Sequence, residues 1–422
     1  MLDITYIREN RDLVKQGMIN KGEDDASLVD DVIAIDEKWR QVVTETDRLR
    51  AESNARSKEI GKLMGQGKKE EAQQIIKETG ESKEKIKELE TRMSELRIER
   101  DNLLYKIPNV PDESVPVGQT DEDNEVFYTW GEPSKDETAL PHWEITEKKG
   151  WIDFERGVKV TGAGFPFYTG KVASLQRALI NFFISEATKA GYTEMIAPYF
   201  VNEASARGTG QIPDKEDMMY EVQRDQFFVI PTGEVPVTNF HRDEILDQES
   251  LPLKYVAHTP CWRREAGSYG KDVRGLNRLH QFDKVELVKI VRPEESDGEL
   301  EKLREHAQML LEKLELPYRT LLMCTGDMGF TQTKKYDLEV WSSGQQRWLE
   351  VSSCSNFGSF QARRMQLRTR DADGNIHMAH TLNGSALALP RVMAAVLEAY
   401  QTEDGDVTIP DVLAPFMGSG EL

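Results

Sequence analysis

An apolar stripe with a spacing of three and four residues runs along two neighbouring stretches of the chain, from Leu28 to Leu63 and from Ala72 to Leu103. This spacing places the apolar side chains on one face of an α-helix. The segment Gly65-Gln66-Gly67 separates the two stretches, and its glycines interrupt a helix. The pattern therefore predicts two helices that fold into an antiparallel hairpin over residues 28–105, about 50 Å long at about 1.5 Å per residue.

The middle of this stripe is polar, at Ser53 and Arg56, and the charges outside it mostly alternate in sign. Alternating charge is typical of a solvated helix face. A two-helix arm with such a seam has little core, and an isolated hairpin of this kind is most often a spacer or an oligomerisation element. A hairpin that binds a partner is the second interpretation, and the pattern alone leaves both open.

Beyond the hairpin the pattern changes. Pro108, Pro111 and Pro116 end it and predict a linker over 108–119, between a domain at 1–107 and a second one at 120–422. In the second domain, strand-like runs and helical segments do not alternate one for one, which favours an α+β fold on a mixed, mainly antiparallel sheet. The strand-like runs are 125–130, 226–230, 254–258, 284–291, 336–341 and 347–353, and the helical segments are 172–190, 294–314 and 386–400.

Composition narrows the class of protein. The 54 basic and 74 acidic residues give a net charge of −20, which argues against a nonspecific nucleic-acid binder, although residues 28–105 are nearly balanced, with 16 basic and 18 acidic residues. Three cysteines without CxxC spacing disfavour a disulfide framework and a Cys-rich zinc site. No run approaches 18 apolar residues, and the first ten residues carry charges, so we expect no membrane span, no signal peptide and a cytoplasmic location.

Residues 261–286 carry the strongest chemical signal. Two strand-like ends flank a Gly-rich loop, which predicts a β-hairpin. A plain hairpin loop rarely needs five cations, and this density fits a polyphosphate or a nucleic-acid backbone. The five cations are Arg263, Arg264, Lys271, Arg274 and Arg278. No Walker A loop accompanies them, so a nucleotide site must be built in another way.

Three further segments are weak signals when taken singly. Glu350 and Ser353 are spaced to share a hard cation such as Mg²⁺, but an edge strand with a Ser-rich end is the plainer interpretation. Residues 381–391 predict a small polar turn that enters an apolar helix, with Arg391 near the start of that helix. The triplet Thr232-Gly233-Glu234 predicts a turn.

In combination and in this order, the segments resemble motif 2 (about 259–286) and motif 3 (about 381–400) of class II aminoacyl-tRNA synthetases. Residues 172–198 resemble motif 1 of the same class. The Thr-Gly-Glu triplet, the string SSCSN, the string TLNGSALALPR and the N-terminal hairpin narrow the resemblance to the bacterial type of seryl-tRNA synthetase family, over essentially the whole chain.

The resemblance implies a ligase that activates L-serine with ATP to seryl-adenylate and transfers the seryl group to tRNA-Ser, and to tRNA-Sec where one exists. It implies that Arg263 clamps the α-phosphate, that Glu265 faces the adenine amino group, and that Arg391 pairs with the γ-phosphate. Glu350 and Ser353 are expected to hold Mg²⁺, and a zinc-free site is expected. The complete implied ATP set is Arg263, Arg264, Glu265, Leu279, Phe282, Glu350, Val351, Ser352, Ser353 and Arg391, with Arg263 and Arg391 as the catalytic pair.

For serine, the resemblance implies a pocket of acidic and hydroxyl groups around the ammonium and the side chain. Its implied members are Thr232, Gly233, Glu234, Arg263, Glu286, Asn383 and Ser385. The N-terminal hairpin is expected to pack on tRNA bound mainly to the partner subunit of a homodimer formed through motif 1. Candidate tRNA contacts are Arg48, Arg50, Arg56, Lys58, Lys62, Lys271 and Arg274. A synthetase-like binding paralogue without activity is the alternative.

Overall fold

A computed structural model describes residues 1–213, 217–265, 274–403 and 405–418. The chain forms two compact units. The helical unit comprises Leu2–Ile19 and Glu23–Pro108, and the α+β unit comprises Met1, Asn20–Gly22 and Asn109–Leu422. The predicted tRNA contact Lys271 lies outside the described residues. Within the described part of the chain, no helix is both long and apolar enough to cross a membrane.

The helical unit contains the predicted hairpin. Its helices are α1 (Ile4–Glu9), α2 (Arg11–Asn20), α3 (Leu28–Gly65) and α4 (Lys69–Leu104). Helices α3 and α4 pack along each other, and the turn between them places Gly67 at φ +79°, where a side chain would be strained. The hairpin prediction is confirmed.

The seam between α3 and α4 buries few apolar side chains, among them Leu49 and Leu96. Thr46 and Thr79 are also buried, and their hydroxyl groups donate to the carbonyls of Val42 and Ile75 in the preceding turn, at 2.7 and 2.6 Å. These polar side chains are therefore satisfied within their own helix. The hydroxyl groups of Thr46 and Thr79 are thus hydrogen-bonded, but the seam gains little from apolar burial.

A buried carboxylate links three helices of the helical unit. Asp36 on α3 is 2% exposed. Its oxygens accept from Arg8 of α1 at 3.2 Å, from Arg40 of α3 at 3.0 Å and from Arg100 of α4 at 3.1 Å. The Arg100 guanidinium also lies 4.7 Å from the centre of the Trp39 ring. One charge network thus fixes the base of the hairpin.

The α+β unit is built around an eight-stranded sheet of order β1-β11-β12-β13-β16-β10-β9-β4. Only the β4–β9 pair of this sheet is parallel, as far as the described residues show. The strands of the unit are β1 (Glu125–Trp130), β2 (Ile152–Asp153), β3 (Phe167–Tyr168), β4 (Thr193–Glu194), β5 (Phe200–Val201), β6 (Glu221–Val222), β7 (Phe227–Val229), β8 (Ile245–Asp247), β9 (Leu253–Trp262), β10 (Gln281–Val291), β11 (Tyr318–Leu322), β12 (Lys334–Ser342), β13 (Arg347–Asn356), β14 (Arg368–Arg370), β15 (Ile376–Met378) and β16 (His380–Ala388). The predicted α+β class with a mainly antiparallel sheet is confirmed.

Helices cover both faces of this sheet. They are α5 (His142–Lys149), α6 (Phe154–Val160), α7 (Gly170–Lys189), α8 (Glu203–Thr209), α9 (Glu234–Thr238), α10 (Ser296–Lys313), α11 (Phe360–Met365), α12 (Leu389–Ala399) and α13 (Ala414–Met417). Side chains of strand β10 pack on both faces. On one face, Val285 and Leu287 join the core formed with α7, α10 and α12. On the other face, Val288 and Ile290 join the core formed with α9 and α11. Glu286 lies between Val285 and Leu287 in the strand, so its side chain points to the opposite face of the sheet, where α9 packs.

Two local predictions were wrong. Residues 380–388 do not form a polar turn, and the helix does not begin at 386: they form strand β16 between β13 and β10, and α12 begins at Leu389. Asn383 and Gly384 have low strand propensity, but burial between two strands overrides it. A β-carbon at Gly384 would lie 3.0 Å from the Cys354 sulfur, so a small residue is needed there. Strand β13 is likewise an inner strand, not an edge strand.

We expect Asp36→Asn to destabilise the helical unit by about 2 kcal/mol, because it removes the charge that three arginines share at a buried position. Urea unfolding of the full chain, followed by far-UV circular dichroism, measures this. Asp47→Asn is the matched control, since Asp47 is 66% exposed and lies 3.6 Å from Arg50. We expect it to change stability by less than about 0.5 kcal/mol. Equal effects of the two substitutions would contradict the role given to Asp36.

Candidate functional site

The β9–β10 hairpin positions the first group of predicted residues. Trp262 pairs with Gln281, and the backbone N–H of Arg263 donates to the His280 carbonyl at 3.0 Å. The Arg263 guanidinium donates from Nε to the Pro231 carbonyl at 3.3 Å and lies 5.3 Å from the centre of the Phe282 ring. This cation is therefore fixed beside an aromatic face at the end of the hairpin strands.

Next to this hairpin lies a cavity of about 680 Å³, a volume that includes the solvent space at its open mouth. Every residue implied for ATP lines it except Arg264. Strands β10, β13 and β16, together with the start of α12, bring these distant segments to one place. The lining residues are Arg263, Glu265, Leu276, Asn277, Arg278, Leu279, Phe282, Lys284, Glu350, Val351, Ser352, Ser353, Ser385, Ala388, Pro390 and Arg391.

Arg391 is the second fixed cation of the cavity. It lies in the first turn of α12, where Nε donates to the Asn277 carbonyl at 3.0 Å and Nη1 donates to the Glu350 carbonyl at 2.8 Å. Its side chain is still 29% exposed. A guanidinium held by two carbonyls is preorganised, and its planar donor array matches phosphate oxygens.

The four cations of the basic segment that the structure describes do not form one group. Arg278 lines the cavity and binds the Glu265 carboxylate at 2.9 Å. Arg264 pairs with Asp217 at 3.2 Å, outside the cavity lining. The Arg274 guanidinium lies over the Trp143 ring, 4.9 Å from its centre. The sequence identified Arg278 only as one cation of a dense group. It did not indicate that Arg278 lines the same cavity as Arg263.

Glu350 and Ser353 lie together on β13 at the cavity wall. Desolvation raises the pKa of Glu350, but the positive charges of Arg391 and Lys335 outweigh it, and the pKa lies below its usual value. The group is therefore an ionised carboxylate at neutral pH. A carboxylate and a hydroxyl oxygen are ligands that suit a hard cation.

Asp337 on β12 lies directly across from Ser353 in the sheet. Burial raises the pKa of the Asp337 carboxyl group. The positive charge of Lys335 lowers this pKa in part, and the negative charge of Glu350 raises it further. Oδ2 binds Lys335 at 2.9 Å, whereas Oδ1 is buried without a hydrogen-bond partner. A spare acceptor next to Ser353 fits a hard cation at this wall. Among the described residues, no three His, Cys, Asp or Glu side chains are grouped to hold a metal.

A second, buried cluster lies beside the cavity and joins the other predicted residues. The Asn383 amide on β16 donates to the carboxylates of Glu234 at 3.0 Å and of Glu286 at 2.9 Å. Thr232 contributes a hydroxyl group 3.3 Å from Glu286. Gly233 allows the close approach, because a β-carbon there would lie 3.0 Å from the Thr259 hydroxyl oxygen. Two carboxylates, a hydroxyl and an amide thus converge at one point.

Sequence reasoning missed two members of this cluster. Lys284 binds the Glu286 carboxylate at 2.5 Å and the Thr232 hydroxyl at 2.8 Å. Its position two residues before Glu286 on one strand was an available signal, because alternate residues share a face. Gln361 on α11 donates to the other Glu234 oxygen at 2.6 Å and has no comparable local signal.

The Glu234 carboxyl group titrates near neutral pH. Burial raises its pKa most, the neighbouring Glu286 carboxylate raises it further, and Gln361, Lys284 and Arg263 lower it. The resulting pKa is about 7. The site therefore combines a cationic cavity, suited to a polyphosphate, with an adjacent acidic pocket, suited to a small molecule that carries an ammonium group and a polar side chain.

Two family models match the chain. The model of the seryl-tRNA synthetase N-terminal domain matches residues 1–111. The model of the class II tRNA synthetase core domain (G, H, P, S and T) matches residues 219–400.

Relatives match along the full length. A serine–tRNA ligase from Salinibacter ruber is 55% identical, and one from Bacillus subtilis is 49% identical, each over 100% of this chain and 99% of the relative. The crystal structure of seryl-tRNA synthetase from Pyrococcus horikoshii complexed with ATP superposes with a TM-score of 0.94 at 38% identity, over 100% of this chain and 99% of that one. Because this similarity extends over both units, the chain belongs to the seryl-tRNA synthetase family.

Proposed function

We propose that the chain is a serine–tRNA ligase, which activates L-serine with ATP to seryl-adenylate and transfers the seryl group to tRNA-Ser, and to tRNA-Sec where one exists. The observation that carries the proposal is the junction of an arginine-lined cavity with a pocket of two buried carboxylates. Relatives named serine–tRNA ligase support it, as does the ATP complex of the Pyrococcus horikoshii protein.

ATP occupies the cavity in this proposal. Phe282 stacks on the adenine, Arg391 covers the other face and reaches the γ-phosphate, and Arg263 clamps the α-phosphate. Glu265 receives the adenine amino group. Because the Glu265 carboxylate binds Arg278 in the empty site, the nucleotide displaces that contact or shares it. Glu350 and Ser353 would hold Mg²⁺, which supplies further positive charge for the phosphate oxygens.

Serine occupies the acidic pocket. Its ammonium group binds Glu286, Thr232 and Glu234, and its hydroxyl group binds Asn383 and Ser385. The carboxylate then points toward Arg263 and the cavity. Such a pocket rejects alanine, because the buried polar groups that bind the hydroxyl would be left unpaired.

The first reaction step needs alignment and charge neutralisation. The serine carboxylate is ionised at neutral pH, so no general base is required. One of its oxygens forms a bond to the α-phosphorus, the bond from that phosphorus to the bridging oxygen breaks, and diphosphate leaves with the electron pair. Arg263 and Arg391 are held by backbone carbonyls before the substrates arrive, so they stabilise the developing charge without reorganisation.

A homodimer is part of the proposal. Large apolar side chains near the motif 1 segment are exposed in the single chain: Ile196 by 91%, Phe200 by 54% and Phe240 by 58%. Exposed apolar side chains at this density are typical of an interaction surface. A two-fold axis through this region would bury them in both subunits.

The hairpin of α3 and α4 is proposed to bind tRNA by shape and backbone charge. The candidate arginines are already paired with carboxylates: Arg48 with Glu45 and Glu52, and Arg50 with Glu90. By contrast, Lys58 and Lys62 are exposed and make no ion pair with any described residue. Their charges are therefore the most available to phosphate.

ATP–diphosphate exchange without tRNA is the experiment that tests the ligase proposal. We expect exchange with serine and at most trace exchange with threonine, alanine or glycine. Arg391→Ala should reduce the serine-dependent rate by about 100-fold or more, because it removes a preorganised cation of the cavity. Arg156→Ala, at a 73% exposed arginine, should leave the rate unchanged. Folded protein with Mg²⁺ but no exchange would instead favour the inactive paralogue.

The pH profile of serine use tests the role of Glu234. Its raised pKa means that the carboxylate is present above about pH 7 and is lost by protonation below it. We therefore expect kcat/KM for serine to fall tenfold per pH unit below about 7, while the KM for ATP stays constant. Glu234→Gln should remove this acid limb and give a low, flat profile. Glu147→Gln, at an exposed position, should retain the limb. A profile of the Gln variant parallel to that of the unsubstituted enzyme would contradict the assignment.

For the hairpin, we expect the double variant Lys58→Ala, Lys62→Ala to bind tRNA more weakly. The slope of log K against log salt concentration should become shallower by about 1.5, because each lost phosphate contact lowers the magnitude of the slope by about 0.7–0.9. Filter binding at several salt concentrations measures this, and serine-dependent exchange without tRNA should not change. Lys83→Ala with Lys87→Ala on α4 is the control pair. An equal loss from both pairs would indicate general charge attraction, not a contact surface at Lys58 and Lys62.

A further inference from the structure

Lys284 lies at the border between the two subsites. Its side chain is 8% exposed and forms part of the cavity wall. Its Nζ binds the Glu286 carboxylate at 2.5 Å and the Thr232 hydroxyl at 2.8 Å. These two groups are among the three that receive the ammonium of serine in the proposed function, so the lysine and the substrate compete for the same acceptors.

The chemistry of the competition is direct. A lysine ammonium and the ammonium of an amino acid both carry one positive charge and three N–H donors. The buried carboxylates of Glu234 and Glu286 share one amide donor, Asn383, and need a cation nearby. Lys284 provides that cation in the structure. The ammonium group of the substrate would need the same Glu286 and Thr232 oxygens that Lys284 binds, so it displaces the ammonium group of Lys284.

The strand limits where the displaced ammonium can go. The Lys284 backbone is held in β10 between Thr259 of β9 and Ala388 of β16. The open space beside its side chain is the cavity, where Arg263 and Ser352 line the adjoining wall. Movement away from Glu286 therefore brings the lysine charge toward the phosphates of ATP.

We propose that Lys284 occupies the ammonium subsite until serine binds, is displaced by serine, and then adds its positive charge to the phosphate subsite. Lys284 is thus a positioning residue that links the two substrates: ATP meets the additional cation only when the amino-acid pocket is filled. This inference rests on the proposed function. Because a coupling between two binding sites is reciprocal, ATP should strengthen serine binding by the same factor.

Calorimetric titration of ATP, with and without saturating L-serinamide, tests the coupling. L-Serinamide keeps the ammonium and hydroxyl groups of serine but lacks the carboxylate that attacks phosphorus, so binding is measured without reaction. For the unsubstituted enzyme we expect serinamide to strengthen ATP binding by about fivefold or more. In Lys284→Met the strengthening should disappear.

Lys289→Met is the matched control. Lys289 is also buried on β10 and binds Glu299 at 2.8 Å, and Glu299 keeps a second partner in Lys302. The Lys289→Met variant should keep the coupling between serinamide and ATP. A loss of coupling in Lys284→Met then cannot be explained by the mere removal of a buried lysine from β10. Lys284→Gln serves as a second variant, because its amide can still donate to the pocket but carries no charge.

Two outcomes would overturn the inference. One is retention of the coupling in both Lys284 variants. The other is the absence of coupling in the unsubstituted enzyme while serine supports ATP–diphosphate exchange, a result that decides the matter even if neither variant folds. Absence of serine-dependent exchange in the unsubstituted enzyme is a different failure, which would remove the proposed function itself.

Discussion

Two carboxylates buried side by side, those of Glu234 and Glu286, are the constraint on which the rest of the site depends. Like charges away from water are unfavourable unless hydrogen bonds and a cation compensate them. The fold provides this compensation from three elements: Asn383 on β16, Lys284 on β10 and Gln361 on α11. The acidic pocket can therefore exist only where the central strands and α11 meet, and this fixes its place in the α+β unit.

The adjacent cavity has the opposite character. Arg263 and Arg391 are held by carbonyl groups, not by carboxylates alone, so their charges stay available to an anion. An acidic pocket and a cationic cavity that share a wall favour two substrates of complementary charge. The substrate in the pocket carries a cationic group, and the substrate in the cavity carries an anionic group. An amino acid beside a nucleoside triphosphate is such a pair.

The helical unit is stabilised by different interactions. Its seam gains little from apolar burial, and buried threonines satisfy their hydroxyl groups within their own helices. Stability at the base of the hairpin comes instead from Asp36 and the arginines around it. A surface rich in charge and poor in apolar contacts suits a long, solvated arm whose partner is recognised by backbone and shape.

The sequence by itself determined the hairpin, the α+β class and the β9–β10 hairpin, because these follow from local periodicity and from turn residues. It also determined the family, through the order of its motifs. Only the tertiary structure decided that 380–388 is an inner strand, since burial between β13 and β10 overrides the weak propensity of Asn383 and Gly384. It likewise decided that Gln361, far along the chain, contacts Glu234, and that Arg264 faces Asp217 while Arg278 reaches the cavity. Such contacts depend on how distant segments pack, which local patterns along the chain do not encode.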